Sequence, residues 1–287
     1  MLRIGRSLVL LLMCLLSSVV VATSAALPSR PIILAVHPYL PMQELNARFQ
    51  PLAEYLETLL NREVVVRVGP DYAEHIAYIG MDKVDIAFMG PAMYVRMVER
   101  FGKKPLLARL AINGEPVFHG FLITRRGSGI NQIKALRGKR FAFGDPDSTM
   151  SYLVPRYMML DAGIDVRDLA DYQFLGSHVN VALAVLAGAF DAGAVKEEVF
   201  YAYMPKGLQA LAKSKSYSEH LFVTRADATP EFIELVKAAF LHLTDTVEGQ
   251  MILQAIKPSA TALVPVEDAD YDNLRSVLDV LRQHGVE

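Results

Sequence analysis

The 287-residue sequence contains a single cysteine, Cys14, so the chain cannot form an intramolecular disulfide bond. An exported protein without disulfide bonds depends on its hydrophobic core for stability. At this length a chain buries most of its apolar surface, so one large domain or two lobes can be stable without covalent cross-links.

Other absences narrow the function. The first 26 residues carry two of the 29 basic residues and none of the 31 acidic ones, so the net charge changes from −2 for the whole chain to −4 without them. There is no basic stripe of the kind that binds nucleic acid. There is no Gly-x-Ser-x-Gly elbow and no His-Glu-x-x-His or similarly spaced ligand set. We predict a protein that is not an enzyme and holds no cofactor or metal, with a secreted hydrolase as a remote alternative.

The first 26 residues have the order of a secretory signal peptide: a basic start, an apolar run over 7–22, and small residues for cleavage after Ala25 or Ala26. The apolar run is shorter than the ~20 residues that span a bilayer, so a permanent anchor is the weaker interpretation. Cys14 leaves a lipoprotein as an alternative, although Met13 stands before it where a small residue is expected. The sequence therefore predicts a periplasmic protein with a cleaved leader.

Apolar runs alternate with segments of helical periodicity along the rest of the chain. This alternation predicts mostly parallel sheets with helices on both faces. The predicted strands are 31–36, 63–68, 84–88, 106–111, 118–124, 140–143, 172–175, 191–195 and 221–224. The predicted helices include 42–60, 71–79, 152–161, 179–188 and 197–203, and after residue 224 only helices are predicted, at 230–242, 247–256 and 268–284.

Two α/β series joined by two strand crossings predict two lobes. The first lobe is discontinuous, 27–117 and 225–287, and the second is 118–224. A ligand is expected between the lobes, beyond the strand ends. The hinge is expected at the crossings, near 116–125 and 218–225.

The segment 144–155 joins a predicted strand to a predicted helix and contains Ser148 and Thr149. A helix N-terminus has unpaired backbone N–H groups and the positive end of the helix dipole, so this segment suits an anion. An ordinary Ser or Thr cap that contacts no ligand is the alternative.

Several stretches in this order resemble the phosphate/phosphite/phosphonate (PhnD-type) family of ABC-transporter substrate-binding proteins, over nearly the whole mature chain. The resemblance implies a two-lobed periplasmic binding protein of type II, which closes on its ligand and acts as a monomer with an ABC permease. A periplasmic sensor of the same fold that feeds a membrane histidine kinase is the alternative. The stretches are Gly69–Ala73, Val84–Gly90, Leu136–Thr149, Leu153–Pro155, Gly176–His178 and Ala182–Val185.

The resemblance implies ligand contacts at five positions. Ser148 and Thr149 match the turn that binds the oxyanion, and His178 matches a position that also reaches it. Tyr72 matches a cleft aromatic whose hydroxyl donates, and Glu198 matches an acid that holds the amine of aminophosphonates. Alternatives remain: a helix cap for His178, a core position for Tyr72 and a helix-dipole contact for Glu198.

Three departures from the family pattern bear on the ligand. Met150 stands where phosphonate binders have a third hydroxyl residue, which Ser151 can replace one step later. Phe118 stands in place of a donor Tyr, and His220 in place of an Asp that holds the amine. The ligand predicted from these departures is a smaller oxyanion, or one with an apolar substituent facing Met150 and Phe118, and phosphorus is not required.

Asp147 lies beside the predicted anion site, where a carboxylate repels a dianion. It either caps the turn, the preferred interpretation, or accepts a proton from a ligand O–H.

Overall fold

Two β-sheets flanked by helices make up the computed structural model, which describes residues 30–286. The predicted signal peptide and Cys14 lie outside these residues. No helix in the described part of the chain is long and apolar enough to cross a membrane. The strands are β1 (Ile32–Val36), β2 (Val64–Val68), β3 (Ile86–Met89), β4 (Leu106–Ile112), β5 (Val117–Phe118), β6 (Gly120–Arg125), β7 (Arg140–Phe143), β8 (Asp171–Phe174), β9 (Ala192–Lys196), β10 (Leu208–Lys213), β11 (Tyr217–Ser218), β12 (Leu221–Thr224) and β13 (Ala260–Val264). The helices are α1 (Met42–Leu60), α2 (Tyr72–Gly80), α3 (Pro91–Phe101), α4 (Val154–Asp161), α5 (His178–Ala187), α6 (Glu197–Tyr203), α7 (Pro230–Leu241), α8 (Val247–Ile256) and α9 (Asp272–Gln283).

The first sheet has the strand order β13-β4-β12-β3-β1-β2. β1 is parallel to both of its neighbours, and Leu34 lies opposite Val66 in β2 and Ile86 in β3. A central parallel strand is buried on both faces, which explains why β1 is a continuous apolar run. β12, β4 and β13 run antiparallel to their neighbours.

The second sheet has the strand order β10-β6-β9-β7-β8. Its central strand β9 contains Gly193, where an added Cβ would lie 2.6 Å from a Val181 methyl carbon and 3.0 Å from the Ala142 carbonyl oxygen. The small residues of β9 therefore let α5 pack closely on the sheet. β7 is parallel to β8 and β9, whereas β6 is antiparallel to β9 and β10.

Both sheets are thus mixed, whereas the sequence predicts mostly parallel sheets. The strands beside the crossings, β6 and β12, carry the chain from one sheet to the other and run against their neighbours. The crossings themselves form a two-stranded antiparallel ribbon, in which β5 pairs with β11 and Phe118 lies opposite Tyr217. β12 was predicted in the second lobe, but it pairs with β3 and β4 and so belongs to the first sheet.

The prediction that only helices follow residue 224 is wrong, because β13 pairs with β4 at the edge of the first sheet. β10, at the edge of the second sheet, is also absent from the predicted strands. Both strands have a register shift, and many of their side chains are partly or fully exposed. Neither therefore shows the apolar run or the strict alternation by which a buried strand is recognised.

Candidate functional site

The segment after β7 forms an irregular helix start. Ser148 caps it, because its side-chain oxygen accepts the Ser151 N–H at 3.1 Å. Residues Thr149–Leu153 form a π-helical turn, which leads directly into α4. Pro155 has no N–H to donate to the Ser151 carbonyl oxygen, which instead accepts the Gly144 N–H at 3.2 Å.

This irregular start leaves donors unused. Among residues 30–286, no acceptor contacts the backbone N–H groups of Thr149 and Met150. The N-termini of α2, α3 and α5 lie at the same cavity, since Tyr72, Gly90 and His178 line it together with Ser148 and Thr149. Four helical N-termini, each with the positive end of its dipole, therefore border one small volume.

The cavity has an empty volume of about 290 Å³. This volume includes space that is open to solvent, and only about 20 Å³ is open to the centre of a water molecule, so the cavity suits a very small ligand. Seven of the nine predicted site residues line it: Tyr72, Phe118, Ser148, Thr149, Met150, His178 and His220. The other lining residues are His37, Tyr39, Gly90, Met93, Asp147 and Lys196.

Ser151 and Glu198 do not line this cavity. The Ser151 hydroxyl is fully buried and donates to the Ala194 carbonyl oxygen at 2.7 Å, so it supports β9 instead of replacing the missing hydroxyl of Met150. The Glu198 carboxylate pairs with Lys196 at 2.8 Å and with Arg48 at 3.0 Å. Burial would raise the pKa of Glu198, but Lys196, Lys257 and Arg48 together lower it to about 2.

His178 is held in one tautomer. Its Nδ1 accepts the Lys196 backbone N–H at 3.0 Å, so the proton of the neutral ring lies on Nε2, which is 3.4 Å from the Ser148 hydroxyl oxygen. Burial, assisted by the nearby Lys196 ammonium, lowers the pKa of His178 to about 3. His178 is therefore a neutral donor at the cavity. We call Ser148, Thr149, Met150 and His178 the donor wall.

His220 is oriented by the buried carboxylate of Glu219. This carboxylate contacts His220 Nδ1 and accepts the Lys257 ammonium at 2.9 Å. Burial would raise the pKa of Glu219, but Lys257 and His220 outweigh it and hold that pKa below its usual range. Burial in turn lowers the pKa of His220, which leaves its ring neutral with Nδ1–H donated to Glu219.

His37 was not predicted as a site residue. It is 2% exposed, and neither ring nitrogen has a hydrogen-bond partner in the described part of the chain. Its ring stacks on His220 with centroids 5.0 Å apart. The signal that could have identified it is its place directly after β1, at the carboxyl end of a parallel strand. We call His37 and His220 the histidine wall.

Asp147 and Lys196 bring opposite charges to the cavity. Asp147 pairs with Arg96 of α3, and its backbone N–H is bonded by Asp145 at 2.8 Å. The Lys196 ammonium lies 4.0 Å from the centre of the Tyr39 ring and pairs with Glu198. In this arrangement Asp147 links the turn to α3, and Lys196 brings a cation to the cavity lining.

Several contacts join the two sheets across the cavity. The Ala92 N–H at the start of α3 donates to the Thr149 hydroxyl at 3.0 Å, and Arg48 of α1 reaches Glu198 of α6. Met150 and Leu153 are part of the largest hydrophobic cluster, most of which belongs to the first sheet and its helices. The two sides of the cavity are therefore in contact.

Known proteins resemble this chain over most of its length. A family model described as the ABC-transporter phosphonate periplasmic substrate-binding protein matches residues 34–271. The phosphate-import protein PhnD of Mycolicibacterium smegmatis is 28% identical over 274 residues, 87% of this chain and 85% of that protein. A probable ABC transporter phosphite binding protein of Prochlorococcus marinus, PhnD1, is 25% identical over 252 residues, 81% of this chain and 84% of that protein.

The fold has close counterparts among solved structures. The structure of Prochlorococcus marinus PhnD1 in complex with methylphosphonate has a TM-score of 0.81 at 21% identity, and it covers 89% of this chain and 98% of that chain. An aliphatic sulphonate binding protein of Escherichia coli has a TM-score of 0.61 at 13% identity, over 89% of this chain and 88% of that one. At these identities the likeness concerns the fold alone, and the predicted two-lobed periplasmic binding protein fold of type II is confirmed.

Proposed function

Because the chain belongs to the family of periplasmic substrate-binding proteins of phosphonate ABC transporters, we propose that its cavity captures a small oxyanion of the phosphonate, phosphite or phosphate type. The loaded protein then docks on an ABC permease in the inner membrane. It acts in the periplasm as a monomer, after its leader has been removed. It carries out no chemistry on the ligand.

The donor wall is the observation that carries this proposal. Two unpaired backbone N–H groups, the Ser148 hydroxyl and the His178 Nε2–H face a cavity at which four helical N-termini converge. An oxyanion satisfies all of these donors together. Hydrogen bonds to a charged group contribute about 1.5–3 kcal/mol each, so two or three of them support tight binding of a very small ligand.

The cavity also favours some members of this class over others. Lys196 and the neutral His220 line the cavity, and the Glu198 carboxylate is already paired with two cations. A ligand ammonium group would therefore meet a like charge and find no free carboxylate on Glu198. Met150 and Phe118 provide an apolar surface that suits a methyl group or a P–H bond better than an aminoalkyl chain.

We propose that the ligand holds the two lobes together and that the ribbon of β5 and β11 is the hinge. The bond from Ala92 to Thr149 and the ion pairs Arg48–Glu198 and Arg96–Asp147 cross between the lobes and support a closed state. A bound oxyanion adds contacts to both sides of the same cavity, so it favours closure over an open form.

A thermal-shift screen of the mature protein against phosphate, phosphite, methylphosphonate and sulfate tests the proposed function. A ligand at a hundred times its dissociation constant adds about 2.7 kcal/mol of stability. Ser148→Ala should remove most of that shift, measured against the mutant's own ligand-free midpoint because the substitution also removes a helix cap. Ser276→Ala, on the exposed face of α9, is the matched control and should respond like the wild type. A full response of Ser148→Ala would place the ligand elsewhere.

A further inference from the structure

The histidine wall differs from the donor wall in what it presents to the cavity. A neutral imidazole has one N–H donor and one bare nitrogen that accepts. At His220 the carboxylate of Glu219 holds the N–H on Nδ1, so Nε2 is the bare acceptor. Both nitrogens of His37 are buried and without a partner in the described residues. A buried polar group in a folded protein normally has a partner, so an unpaired ring on a cavity wall points to a ligand.

The two rings border the same space beside Gly90. A Cβ added at Gly90 would lie 3.6 Å from His220 Nε2 and 3.7 Å from His37 Cε1. Both distances are ordinary contacts, so Nε2 of His220 and the edge of the His37 ring face the volume that Gly90 leaves open. Gly90, His37 and His220 all line the cavity. A ligand atom at this place meets both histidines at once.

Burial opposes the protonation of both rings. The neighbouring basic groups add to this effect at His37, whereas at His220 the Glu219 carboxylate favours protonation and burial outweighs it. His37 is surrounded by Tyr72 and His75 of α2, Lys196 at the end of β9, His178 of α5 and the ring of His220. Burial and these basic neighbours lower the pKa of His37 well below its ordinary value. His220 is faced by Glu219, Lys196 and Lys257, with the Tyr39 ring 5.9 Å away.

The formal charges on the cavity lining at neutral pH are therefore those of Lys196 and Asp147, which have opposite signs. Lys196 and Arg48 share the Glu198 carboxylate, and Asp147 is paired with Arg96, so these ion pairs leave an excess of one positive charge. The helical N-termini add partial charges that suit one negative charge. A dianion would bring a second charge with no cation to meet it, and it would also place a bare oxygen against the bare Nε2 of His220.

We propose that the site selects the singly charged, hydroxyl-bearing form of its oxyanion, whose O–H is received by His220 Nε2, while His37 contacts the same ligand and the donor wall binds the bare oxygens. This rests on the proposed function and specifies the chemical class of its ligand. Glu219 is the positioning residue, since it fixes the tautomer of His220 without touching the ligand. When the ligand is supplied as the dianion, the complex must take up one proton from solution.

Calorimetric titration of the mature wild-type protein with methylphosphonate tests the inference. The titrations are made at one pH unit above the second pKa of the ligand, in two buffers with different ionisation enthalpies. We expect about one proton to be taken up for each ligand bound. The dissociation constant should be flat below that pKa and should rise tenfold for each pH unit above it, since only the monoanion binds. Sulfate, which stays a dianion over this range, should bind at least tenfold more weakly.

Two variants separate the roles of the histidines. His37→Phe keeps a stacked ring but removes both nitrogens, and it should weaken binding of methylphosphonate at least tenfold at every pH. His220→Phe keeps a stacked ring but removes the acceptor nitrogen, and it should reduce the preference for methylphosphonate over sulfate. His242→Gln, an exposed histidine paired with Asp245, is the matched control and should bind like the wild type.

The outcomes are distinct. No proton uptake by the wild type, together with an affinity that is flat or rises across the second pKa, would overturn the selection of the monoanion while leaving the proposed function intact. Wild-type affinity in His37→Phe would remove His37 from the ligand contacts. If none of the oxyanions binds the wild type at any pH, the proposed function fails and this inference fails with it. The proton count uses the wild type alone, so it remains decisive even if a variant does not fold.

Discussion

The donor wall and the histidine wall face one cavity, but the chain assembles them in different ways. Three of the four residues of the donor wall are consecutive, at 148–150, and their geometry follows from a helix start that Ser148 caps. The histidine wall joins His37, which follows β1, to His220, which precedes β12, and depends on Lys257 through Glu219. The donor wall is thus local in sequence, whereas the histidine wall exists only in the folded protein.

The largest expected effect is a loss of folding stability when Glu219, which orients His220 of the histidine wall, is replaced. The side chains of Lys257 and Glu219 are 8% and 1% exposed. Glu219→Gln therefore leaves a buried Lys257 ammonium without its counter-charge. Removal of one partner of a buried ion pair costs about 3–5 kcal/mol. We expect a loss of that size in the free energy of unfolding, measured with urea. The double variant Glu219→Gln with Lys257→Met should recover part of it, and Glu234→Gln, on the exposed face of α7, should cost almost nothing. A cost below about 1 kcal/mol would show that Glu219 does not hold this wall together.

The second expected effect is a loss of folding stability at acid pH, caused by His75 next to the histidine wall. His75 is 2% exposed, donates Nε2–H to the Phe88 carbonyl oxygen at 3.2 Å, and lies 6.1 Å from the His37 ring. Burial lowers its pKa from 6.5 to about 4. The unfolded chain therefore binds more protons than the folded one below pH 6.5, and stability is lost as the pH falls from 6.5 to about 4. At pH 5 this costs about 2 kcal/mol relative to pH 7.

His75→Gln keeps a donor for Phe88 and removes the titrating group. Unfolding by urea between pH 5 and pH 7 should then show a shallower pH dependence than in the wild type, by up to one proton. His178 has its pKa lowered in the same direction and stays in both proteins, so part of the acid sensitivity should persist. An unchanged slope in His75→Gln would contradict the assignment of a neutral buried His75.

The comparison of the walls also explains which parts of the site the sequence could predict. The succession of a strand, a hydroxyl-rich turn and a helix indicated an anion site at Ser148 and Thr149, and the family resemblance then favoured ligand contact over an ordinary helix cap. His37 was missed, although it stands at the end of a predicted strand, because nothing local shows that its ring will stack on His220. Glu198 was placed at the ligand, but Arg48, 150 residues away, draws its carboxylate out of the cavity lining.

The fold shows the same division between local and distant causes. β1 and β7 were predicted closely, because each is a short apolar run bounded by turn residues. β13 was not predicted, because it lies at a sheet edge with exposed and half-buried side chains and gains its order from pairing with β4. The assignment of β12 to one sheet or the other also depends on pairing that residues 221–224 do not encode by themselves.

The smallest expected effect is that of Thr149→Val on ligand affinity, and this variant tests whether the donor wall also helps to close the cavity. The Thr149 hydroxyl accepts the Ala92 N–H at 3.0 Å, and the two residues lie on opposite sides of the cavity. Thr149→Val keeps the shape and removes that bond, whose net contribution is about 0.5–1.5 kcal/mol, so we expect a dissociation constant for methylphosphonate that is about two- to tenfold higher. Thr149→Ser keeps the hydroxyl and should bind like the wild type. Small-angle scattering should show a ligand-induced decrease in the radius of gyration for wild type and Thr149→Ser, and a smaller decrease at equal ligand concentration for Thr149→Val. Equal affinity and equal compaction in all three would mean that this bond does not support closure, and that the donor wall serves the ligand alone.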